Sequence, residues 1–315
     1  MIRLGIIGFG KMGGYHARCA QSLSDEIKLC FIVDPHLSDI PYDNVTCVAS
    51  HEEMYGHVDA VIIATPTTTH YHIAKDFLQR GVHVLVEKPI TSTREQAAHL
   101  FSLAQKHNLV LHVGHVERFN AGLLHARPFV TTPRLIRSVR SGPFSSRVAH
   151  DSVALDLMIH DVDIILSLIP SPLKSISAHG SHIVSQTADC AAATLFFQNG
   201  SIAQLSTYRN APIASREMTI EQDDATIHID YASQRATIYH TDKKSETLEK
   251  KEGHNPLLEE IRFFAAAITA QAPQCTRQHD RAVINTTLDI CHAIEQARTH
   301  QKQPPLQHEI SDGNA

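Results

Sequence analysis

Short apolar runs alternate with amphipathic stretches of helical periodicity up to about residue 114. The runs are almost continuously apolar, which is typical of strands in a parallel sheet that is covered on both faces. Strand patterns that alternate with helix patterns predict a doubly wound parallel sheet, so the first part of the chain is predicted to be α/β. Its predicted strands are Leu4–Ile7, Leu29–Val33, Thr46–Ala49, Ala60–Ala64, Val82–Val86 and Leu109–Val113.

The pattern changes beyond Asn120. Residues 153–169 form a predicted helix that is apolar on nearly every side, and segments of alternating apolar and polar residues follow it without helices between them. Asn199-Gly200, between two of these segments, is typical of a two-residue hairpin turn. Consecutive strands indicate an antiparallel sheet, which makes the second part α+β. Its predicted strands are Ile176–His182, Cys190–Gln198, Ser201–Tyr208, Glu217–Glu221, Thr226–Asp230 and Ala236–His240.

The remaining segments complete a two-domain prediction, for which 315 residues are enough. Residues 242–252 are predicted to be a charged loop, and the helices Pro256–Ala272 and Asp280–Gln301 follow it. The predicted units are, in order, residues 1–119, residues 120–303 and a polar tail over residues 304–315.

The second sheet is predicted to need a partner. Only three predicted helices beyond residue 120 are long enough to cover a sheet, and the helix over 153–169 is needed at the cleft. In the strand Cys190–Gln198 both alternating sets of side chains are apolar enough to need cover. An apolar face of that size is unusual on a soluble monomer. We therefore expect a homodimer or a homotetramer assembled through this sheet.

Composition argues against several classes of protein. Contents of 43% apolar and 19% charged residues are typical of a folded globular chain. A net charge of −5 without a long basic run argues against nucleic-acid binding, and no apolar stretch approaches the ~20 residues of a membrane span. A strand that starts at the N-terminus leaves no room for a signal peptide, and the six scattered cysteines suggest neither zinc nor disulfides. We expect a reducing, cytoplasmic location.

A glycine-rich turn joins the first predicted strand to the first predicted helix. Its sequence, Gly8-Phe9-Gly10-Lys11-Met12-Gly13, has the spacing of a dinucleotide-binding loop. Gly8 permits a tight turn, Gly10 lets the backbone approach a pyrophosphate, and Gly13 allows the helix to pack closely on the strand. The pyrophosphate would accept hydrogen bonds from the helix N-terminus. The alternative is a glycine turn in another kind of α/β protein.

Asp34, at the end of the second predicted strand, supports dinucleotide binding. It follows the last glycine by about 20 residues, the distance at which a carboxylate binds ribose hydroxyls. Pro35 and His36 come next, and no Arg or Lys follows until well beyond the turn. Because a carboxylate accepts the ribose 2′-hydroxyl and repels a 2′-phosphate, we predict NAD rather than NADP.

Ligands of open α/β sheets bind outside the carboxyl ends of the strands, so the segments at those ends are predicted to form one cleft. Lys88 lies in one of them, directly after a buried strand. An ammonium there would stabilise a developing alkoxide or act as a proton donor. The alternative is a loop lysine that anchors a phosphate. The converging segments are Gly8–Gly13, Asp34, Thr65–His70, Glu87–Pro89 and Gly114–Asn120.

The apolar helix over 153–169 carries three ionisable residues on one predicted face. Asp156, His160 and Asp163 follow the spacing i, i+4 and i+7. Carboxylates on either side of an imidazole would orient it and raise its basicity, as a general base requires. One alternative is a polar stripe that faces solvent or caps the helix. The other is a metal site, which is the weakest interpretation because only one of the three ligands would be an imidazole.

Four motifs resemble, in order and spacing, the glucose–fructose oxidoreductase/inositol dehydrogenase (Gfo/Idh/MocA) family, and the resemblance covers essentially the whole chain. It implies a nicotinamide-dependent oxidoreductase with an N-terminal Rossmann domain. It also implies a C-terminal α+β domain whose large, mostly antiparallel open sheet commonly packs against that of another subunit. The motifs are Gly8-x-Gly10-x-x-Gly13, Ala64-Thr65-Pro66-x-x-x-His70, Glu87-Lys88-Pro89 and Asp156-x-x-x-His160.

The same resemblance implies roles for matching positions. Lys88, Asp156 and His160 match the catalytic group. The run His150-Asp151-Ser152 departs from the family, because many members have glycines there, and it alters the loop beside the substrate. The positions that match cofactor contacts are Glu87 and the turn of Thr65, Pro66, Thr67 and His70.

Within the family, the run over residues 114–120, taken with the run over residues 156–161, is most similar to the branch that acts on nucleotide sugars, such as UDP-N-acetylglucosamine 3-dehydrogenases. Arg118 and Asn120 are then candidate substrate contacts, with hydrogen bonding at the domain junction as the alternative. Arg209 and Arg216 are candidates to meet a diphosphate, with sheet-surface cations as the alternative. Other interpretations are a relative acting on an inositol, a diol, a tetrapyrrole or an imine, and a non-catalytic dinucleotide-binding regulator.

Overall fold

The computed structural model describes residues 1–37, 41–145, 151–242, 244–271 and 276–301. Its first sheet has six strands in the order β3-β2-β1-β4-β5-β6, and every neighbouring pair is parallel. This confirms the predicted doubly wound sheet. The strand order reverses between β1 and β4, where such folds open a ligand crevice. The strands are β1 Ile2–Ile7, β2 Ile27–Val33, β3 Thr46–Val48, β4 Ala60–Ile63, β5 His83–Glu87 and β6 Leu111–Gly114.

Helices cover both faces of this sheet. Helix α1 packs on one side together with a helix from the C-terminal part of the chain, whereas α2 and α3 pack against each other on the opposite side. Helices α1 and α2 follow β1 and β4, so their N-terminal ends are the ends nearest the crevice. These helices are α1 Lys11–Gln21, α2 Thr67–Gln79 and α3 Arg94–Lys106.

The second sheet has eight strands in the order β14-β13-β12-β11-β7-β10-β9-β8. Only the β7–β10 pair is parallel, so the prediction of a large, mostly antiparallel sheet is confirmed. The strands are β7 Leu135–Ser141, β8 Leu173–Ser181, β9 Cys190–Phe197, β10 Ile202–Tyr208, β11 Ser215–Glu221, β12 Ala225–Asp230, β13 Arg235–His240 and β14 Ser245–Leu248.

Two strands of this sheet were not predicted. The core-facing side of β7 consists of Ile136, Ser138 and Arg140, which are all buried although two of them are polar, so the strand lacks an apolar stripe. Strand β14 lies in the segment predicted to be a charged loop, which is therefore a correction. It is a short edge strand whose residues are mostly exposed, and polar edge strands are one way in which sheets avoid pairing with other chains.

The helices of the second part also differ in detail from the prediction. Helix α4 was missed, α6 ends before Ala270, and the last helix begins earlier than Asp280. The predicted helix over 153–169 opens with a π-helical turn at Ala154–Met158, and the regular helix follows it. The predicted tail from Pro304 lies outside the described residues. The helices are α4 Ala121–Ala126, α5 Ile159–Leu168, α6 Pro256–Thr269 and α7 Arg277–Gln301.

Cover is unequal on the two faces of the second sheet. The π-helical turn packs on β7 and β10, α7 packs on β8, and α5 packs against α7 on the same side. Along β9 the residues facing these helices are at most 6% exposed, whereas on the other face Ala192 is exposed and Phe196 half-buried. No helix within the described ranges is long and apolar enough to cross a membrane.

Candidate active site

The turn between β1 and α1 has the geometry that its glycines predict. Gly8 has a φ of +87°, a left-handed conformation that favours glycine. A Cβ on Gly13 would lie 1.9 Å from the carbonyl oxygen of Gly8, so a side chain is excluded there. Among the described residues, a Cβ on Gly10 would meet no atom within 4 Å, and no side chain caps the start of α1. The loop is thus an open cradle with unpaired N–H groups, which fits a pyrophosphate.

Asp34 lies beside this cradle at the end of β2. Its Oδ2 accepts a hydrogen bond from the backbone N–H of Phe9 at 2.9 Å, and its Oδ1 accepts one from His36 N–H at 3.0 Å. Phe9 packs edge-on against Tyr42, and the exposed Lys11 lies near the ring of Tyr15. The carboxylate is therefore fixed next to the loop, where the sequence places the ribose.

Buried His70 ties the turn after β4 to the turn after β5. Its Nε2 lies 2.9 Å from the carbonyl oxygen of Thr65, and its Nδ1 lies 3.0 Å from that of Pro89. The side chain is only 1% exposed, and burial lowers its pKa below the ordinary value. A neutral ring donates to one of these carbonyls at a time. The geometry supports a positioning role for His70, and Thr67 at the start of α2 remains partly exposed.

Glu87 is held by a residue that the sequence did not single out. His16 Nε2 lies 2.7 Å from Glu87 Oε1, and the His16 side chain is fully buried. Burial acts to raise the pKa of Glu87, but the hydrogen bond and charge of His16 outweigh it and leave that pKa below its usual range. His16 falls on the buried face of α1 with Gly13, Ala17 and Ala20, which is the signal by which it could have been found.

Lys88 contacts the second part of the chain directly. Its Nζ donates to the backbone carbonyl of Asp156 at 2.5 Å and to Oδ1 of the same residue at 3.1 Å. The two side chains are 18% and 14% exposed, so the pair borders the cleft without being sealed from it. The structure thus brings two of the three predicted catalytic residues together.

His160 stands apart from the carboxylates that were predicted to flank it. No hydrogen bond joins it to Asp156 or Asp163 in the described part of the chain, and its Nδ1 is buried without a partner. Burial, followed by the charges of Lys88 and Arg140, holds the pKa of His160 well below 6.5. The imidazole is therefore held in its neutral form, and its basicity is lowered, whereas the flanking carboxylates were predicted to raise it.

The prediction that the carboxylates of Asp156 and Asp163 flank the imidazole of His160 is wrong. It presumed a regular α-helix, whereas Asp156 stands in the π-helical turn, which changes the angular spacing. Asp163 instead accepts hydrogen bonds from Arg118 and His279. Among the described residues, no three side chains are arranged to hold a metal ion.

Arg118 and Asn120 are engaged at the junction of the two sheets. The Arg118 guanidinium binds both oxygens of Asp163 at 2.6–3.0 Å and reaches Asp280 Oδ1 at 2.5 Å. Asn120 is 2% exposed, and its amide donates to Glu117 Oε2 and to the carbonyl oxygen of Tyr231. These contacts support the junction interpretation of both residues rather than substrate contact.

A second buried arginine, Arg140, lies next to the helix that carries His160. It binds both oxygens of Asp161 at 3.1 Å and Oε1 of Glu117 at 2.9 Å. Asp161 follows His160 directly, so this pairing fixes the start of α5 against the sheet. Sequence reasoning missed Arg140 because it stands on a strand that was not predicted.

Arg209 and Arg216, the two arginines predicted as candidates to bind a diphosphate, have different environments. Arg209 is 2% exposed and binds Asp189 Oδ1 at 3.0 Å and the carbonyl oxygen of Asp151 at 2.8 Å. It is therefore neither a sheet-surface cation nor accessible to a substrate. Arg216, on β11, is exposed.

Comparisons with known proteins agree with this geometry. A family model described as an oxidoreductase family with an NAD-binding Rossmann fold matches residues 2–115, and a Gfo/Idh/MocA C-terminal domain model matches residues 113–238. The UDP-N-acetylglucosamine 3-dehydrogenase of Acidithiobacillus ferrooxidans is 31% identical over 307 residues, 93% of this chain and 97% of that protein. The scyllo-inositol 2-dehydrogenase (NAD(+)) of Bacillus subtilis is 24% identical over 67% of this chain and 68% of its own.

Solved structures show the same relationship. The A. ferrooxidans enzyme has a TM-score of 0.86 at 31% identity, covering 94% of this chain and 98% of that one. A scyllo-inositol dehydrogenase from Lactobacillus casei with NAD(H) and scyllo-inositol has a TM-score of 0.77 at 21% identity, with coverage of 94% and 98%, and shows the shared fold. From these matches and the cradle at β1, the chain belongs to the Gfo/Idh/MocA family of NAD-binding oxidoreductases.

Proposed function

We propose that this protein catalyses the NAD-dependent oxidation of a secondary hydroxyl on a nucleotide-linked sugar, or the reverse reduction. The C3 hydroxyl of UDP-N-acetylglucosamine is the best candidate. The observation that carries the proposal is the contact of Lys88 with Asp156 next to a neutral His160, at the cofactor end of the parallel sheet. The substrate follows from the relative that is 31% identical over 93% of this chain.

The chain's own residues supply the proton chemistry. Bound NAD supplies the acceptor for a hydride. The neutral imidazole of His160 takes the hydroxyl proton through Nε2, because Nδ1 is enclosed. Lys88 hydrogen-bonds the same oxygen as negative charge develops, and Asp156 holds the ammonium in place. The formal base is assigned to Lys88 and His160 jointly.

The cofactor is held by residues of the first sheet. Backbone N–H groups at Gly10–Gly13 bind the pyrophosphate, and Asp34 binds the adenosine ribose. The turn that begins with Thr65 and Pro66 lies at the end of β4, across the crevice from the glycine loop. Titration of the protein with NADH and NADPH tests the preference for NAD. Tighter binding of NADPH would overturn the role given to Asp34.

The substrate assignment is tested with purified protein and NAD. The absorbance of reduced nicotinamide is followed across UDP-sugars, free sugars and inositols. We expect turnover of UDP-N-acetylglucosamine and little or none of the inositols. Turnover of an inositol and of no nucleotide sugar would contradict the substrate while leaving the family unchanged.

We also propose that the protein forms a homodimer or a homotetramer through the second sheet. The support is the face opposite α5 and α7, where half-buried side chains such as Thr194 and Phe196 lack cover from the described residues. Light scattering at micromolar concentration should report at least twice the 34.9 kDa chain mass. A monomer would contradict this assembly. A cytoplasmic location remains a prediction, which is based on the scattered cysteines.

A further inference from the structure

Arg216 is an exposed guanidinium that has no ion pair and no side-chain hydrogen bond in the part of the chain that the structure describes. Other arginines around the cleft differ from it. Arg118 binds Asp163 and Asp280, and Arg140 binds Asp161 and Glu117. Arg216 therefore keeps its full capacity to bind an anion.

The register of the sheet shows which way Arg216 faces. Side chains two residues apart on a strand share a face, and Met218 and Ile220 of β11 are fully buried on the face from which Arg140 binds Asp161 of α5. Arg216 is on that side and lies directly opposite Arg140 on β7. Arg216 is thus the exposed residue at the end of the buried face of β11, and it lies beside Arg140, which binds the start of α5.

The charged groups around this position pair with one another rather than with Arg216. Arg140 binds Asp161 and Glu117, and Lys88 binds Asp156. Because Arg140 has two carboxylate partners, their negative charge offsets the repulsion between Arg140 and Arg216, and the exposed guanidinium of Arg216 stays open to an anion. Its charge is among those that lower the pKa of His160, which agrees with a location at the reacting end of the cleft.

We infer that Arg216 binds the diphosphate of the nucleotide-sugar substrate and thereby selects such sugars over neutral polyols. This inference rests on the proposed function. A guanidinium presents a planar fork of donors that matches phosphate oxygens. In a nucleotide sugar the diphosphate is attached at C1 of the ring that carries the C3 hydroxyl. In this proposal a sugar whose C3 hydroxyl faces His160 has its diphosphate at Arg216, whereas an inositol has no group for Arg216 to bind.

The test uses three variants of the full-length protein loaded with NADH. Arg216→Gln removes the charge and Arg216→Lys keeps it without the fork. Arg134→Gln is the matched control, because Arg134 is an exposed arginine that precedes β7, at the opposite end of that strand from Arg140. Calorimetric titration with uridine 5′-diphosphate should show Kd weakened about ten- to a hundred-fold in Arg216→Gln. The loss should be smaller in Arg216→Lys, and Kd should be unchanged in Arg134→Gln.

Kinetics and stability separate recognition from a structural role. In Arg216→Gln the KM for UDP-N-acetylglucosamine should rise by a similar factor, while the melting temperature stays the same, because the side chain is exposed. Unchanged affinity for uridine 5′-diphosphate, in a protein that oxidises UDP-N-acetylglucosamine, would overturn the inference and leave the proposed function intact. Affinity that depends on Arg216, in a protein that oxidises only inositols, would support the diphosphate site and contradict the proposed substrate.

Discussion

The Nζ atom of Lys88 lies 3.1 Å from Oδ1 of Asp156, and this contact joins the two sheets at the point where chemistry is expected. Lys88 follows β5 of the first sheet, whereas Asp156 stands in the π-helical turn that packs on the second sheet. Neither half of the chain holds all three of the proposed catalytic residues. The cleft therefore requires both domains in their observed arrangement.

Replacing Lys88 by methionine should separate cofactor binding from catalysis. Lys88→Met should leave NADH affinity largely unchanged, because the glycine loop and Asp34 remain. Turnover should fall by about 100-fold or more, since the developing charge on the substrate oxygen loses its donor. Fluorescence titration with NADH and steady-state kinetics measure the two effects. Unchanged turnover would remove Lys88 from the mechanism.

The pH profile should report the environment of His160. Only the neutral ring accepts a proton, and burial together with Lys88 and Arg140 lowers the pKa of His160 well below 6.5. The acid limb of kcat/KM should therefore lie below pH 6.5 and move upward in Arg216→Gln, which removes one repelling cation. An acid limb at or above pH 6.5 in the wild type, or one that persists in His160→Gln, would contradict this assignment.

Gly13 and Gly14 are adjacent in α1, and their alanine variants provide a test of the cofactor loop and its control. In Gly13→Ala the new Cβ would meet the Gly8 carbonyl oxygen at 1.9 Å, so the loop must shift. We expect a loss of about 1–3 kcal/mol of stability and weaker NADH binding. In Gly14→Ala the nearest atom is Arg18 Nη1 at 3.8 Å, so the variant should gain about 0.5–1 kcal/mol, as alanine does in a helix. Urea unfolding and NADH titration measure the two effects. If Gly13→Ala and Gly14→Ala changed stability and NADH affinity equally, the cradle described for this loop would be contradicted.

Buried Glu260 should make stability depend on pH. Its Oε2 has no partner in the described residues, its Oε1 lies 3.4 Å from His112 Nε2, and burial raises its pKa to about 8 from 4.5. Between these values the unfolded chain releases the proton that the folded chain retains. The free energy of unfolding should therefore fall as pH rises from about 5 to about 8, by at most ~1.4 kcal/mol per pH unit from this group.

Glu260→Gln should remove that slope, because an amide of the same shape has no proton to lose. Urea unfolding at about pH 5.5 and about pH 8 measures the change, with the variant gaining on the wild type at the higher pH. Glu95→Gln, on the exposed start of α3, is the control for removing one carboxylate from the surface. A wild-type slope that survives in Glu260→Gln would mean that another group carries it.

The first sheet and its cofactor loop could be predicted because local patterns determine them. Most of its strands contain a nearly continuous apolar run, and Gly8 and Gly13 occupy positions where a side chain is excluded by local geometry. Strand β7 could not be predicted, because its core face holds Ser138 and Arg140. Arg140 is tolerated there only through Asp161 and Glu117, which are distant in sequence.

The contacts within the candidate site were predicted only in part. Lys88 and Asp156 meet as the motifs imply, whereas the expected pairing of His160 with Asp163 is replaced by an ion pair between Asp163 and Arg118. A π-helical turn leaves no periodic signal in the sequence, because its extra residue is accommodated by packing on β7 and β10. Such contacts are set by the tertiary fold.

The fate of one hydrogen atom tests the central claim most directly. UDP-N-acetylglucosamine carrying deuterium at C3 is incubated with the protein and NAD, and the reduced cofactor is analysed by mass spectrometry. The account predicts that the reduced nicotinamide contains the deuterium and that the nucleotide sugar becomes a ketone. Reduced nicotinamide without deuterium, or none at all while an inositol is oxidised under the same conditions, would contradict it.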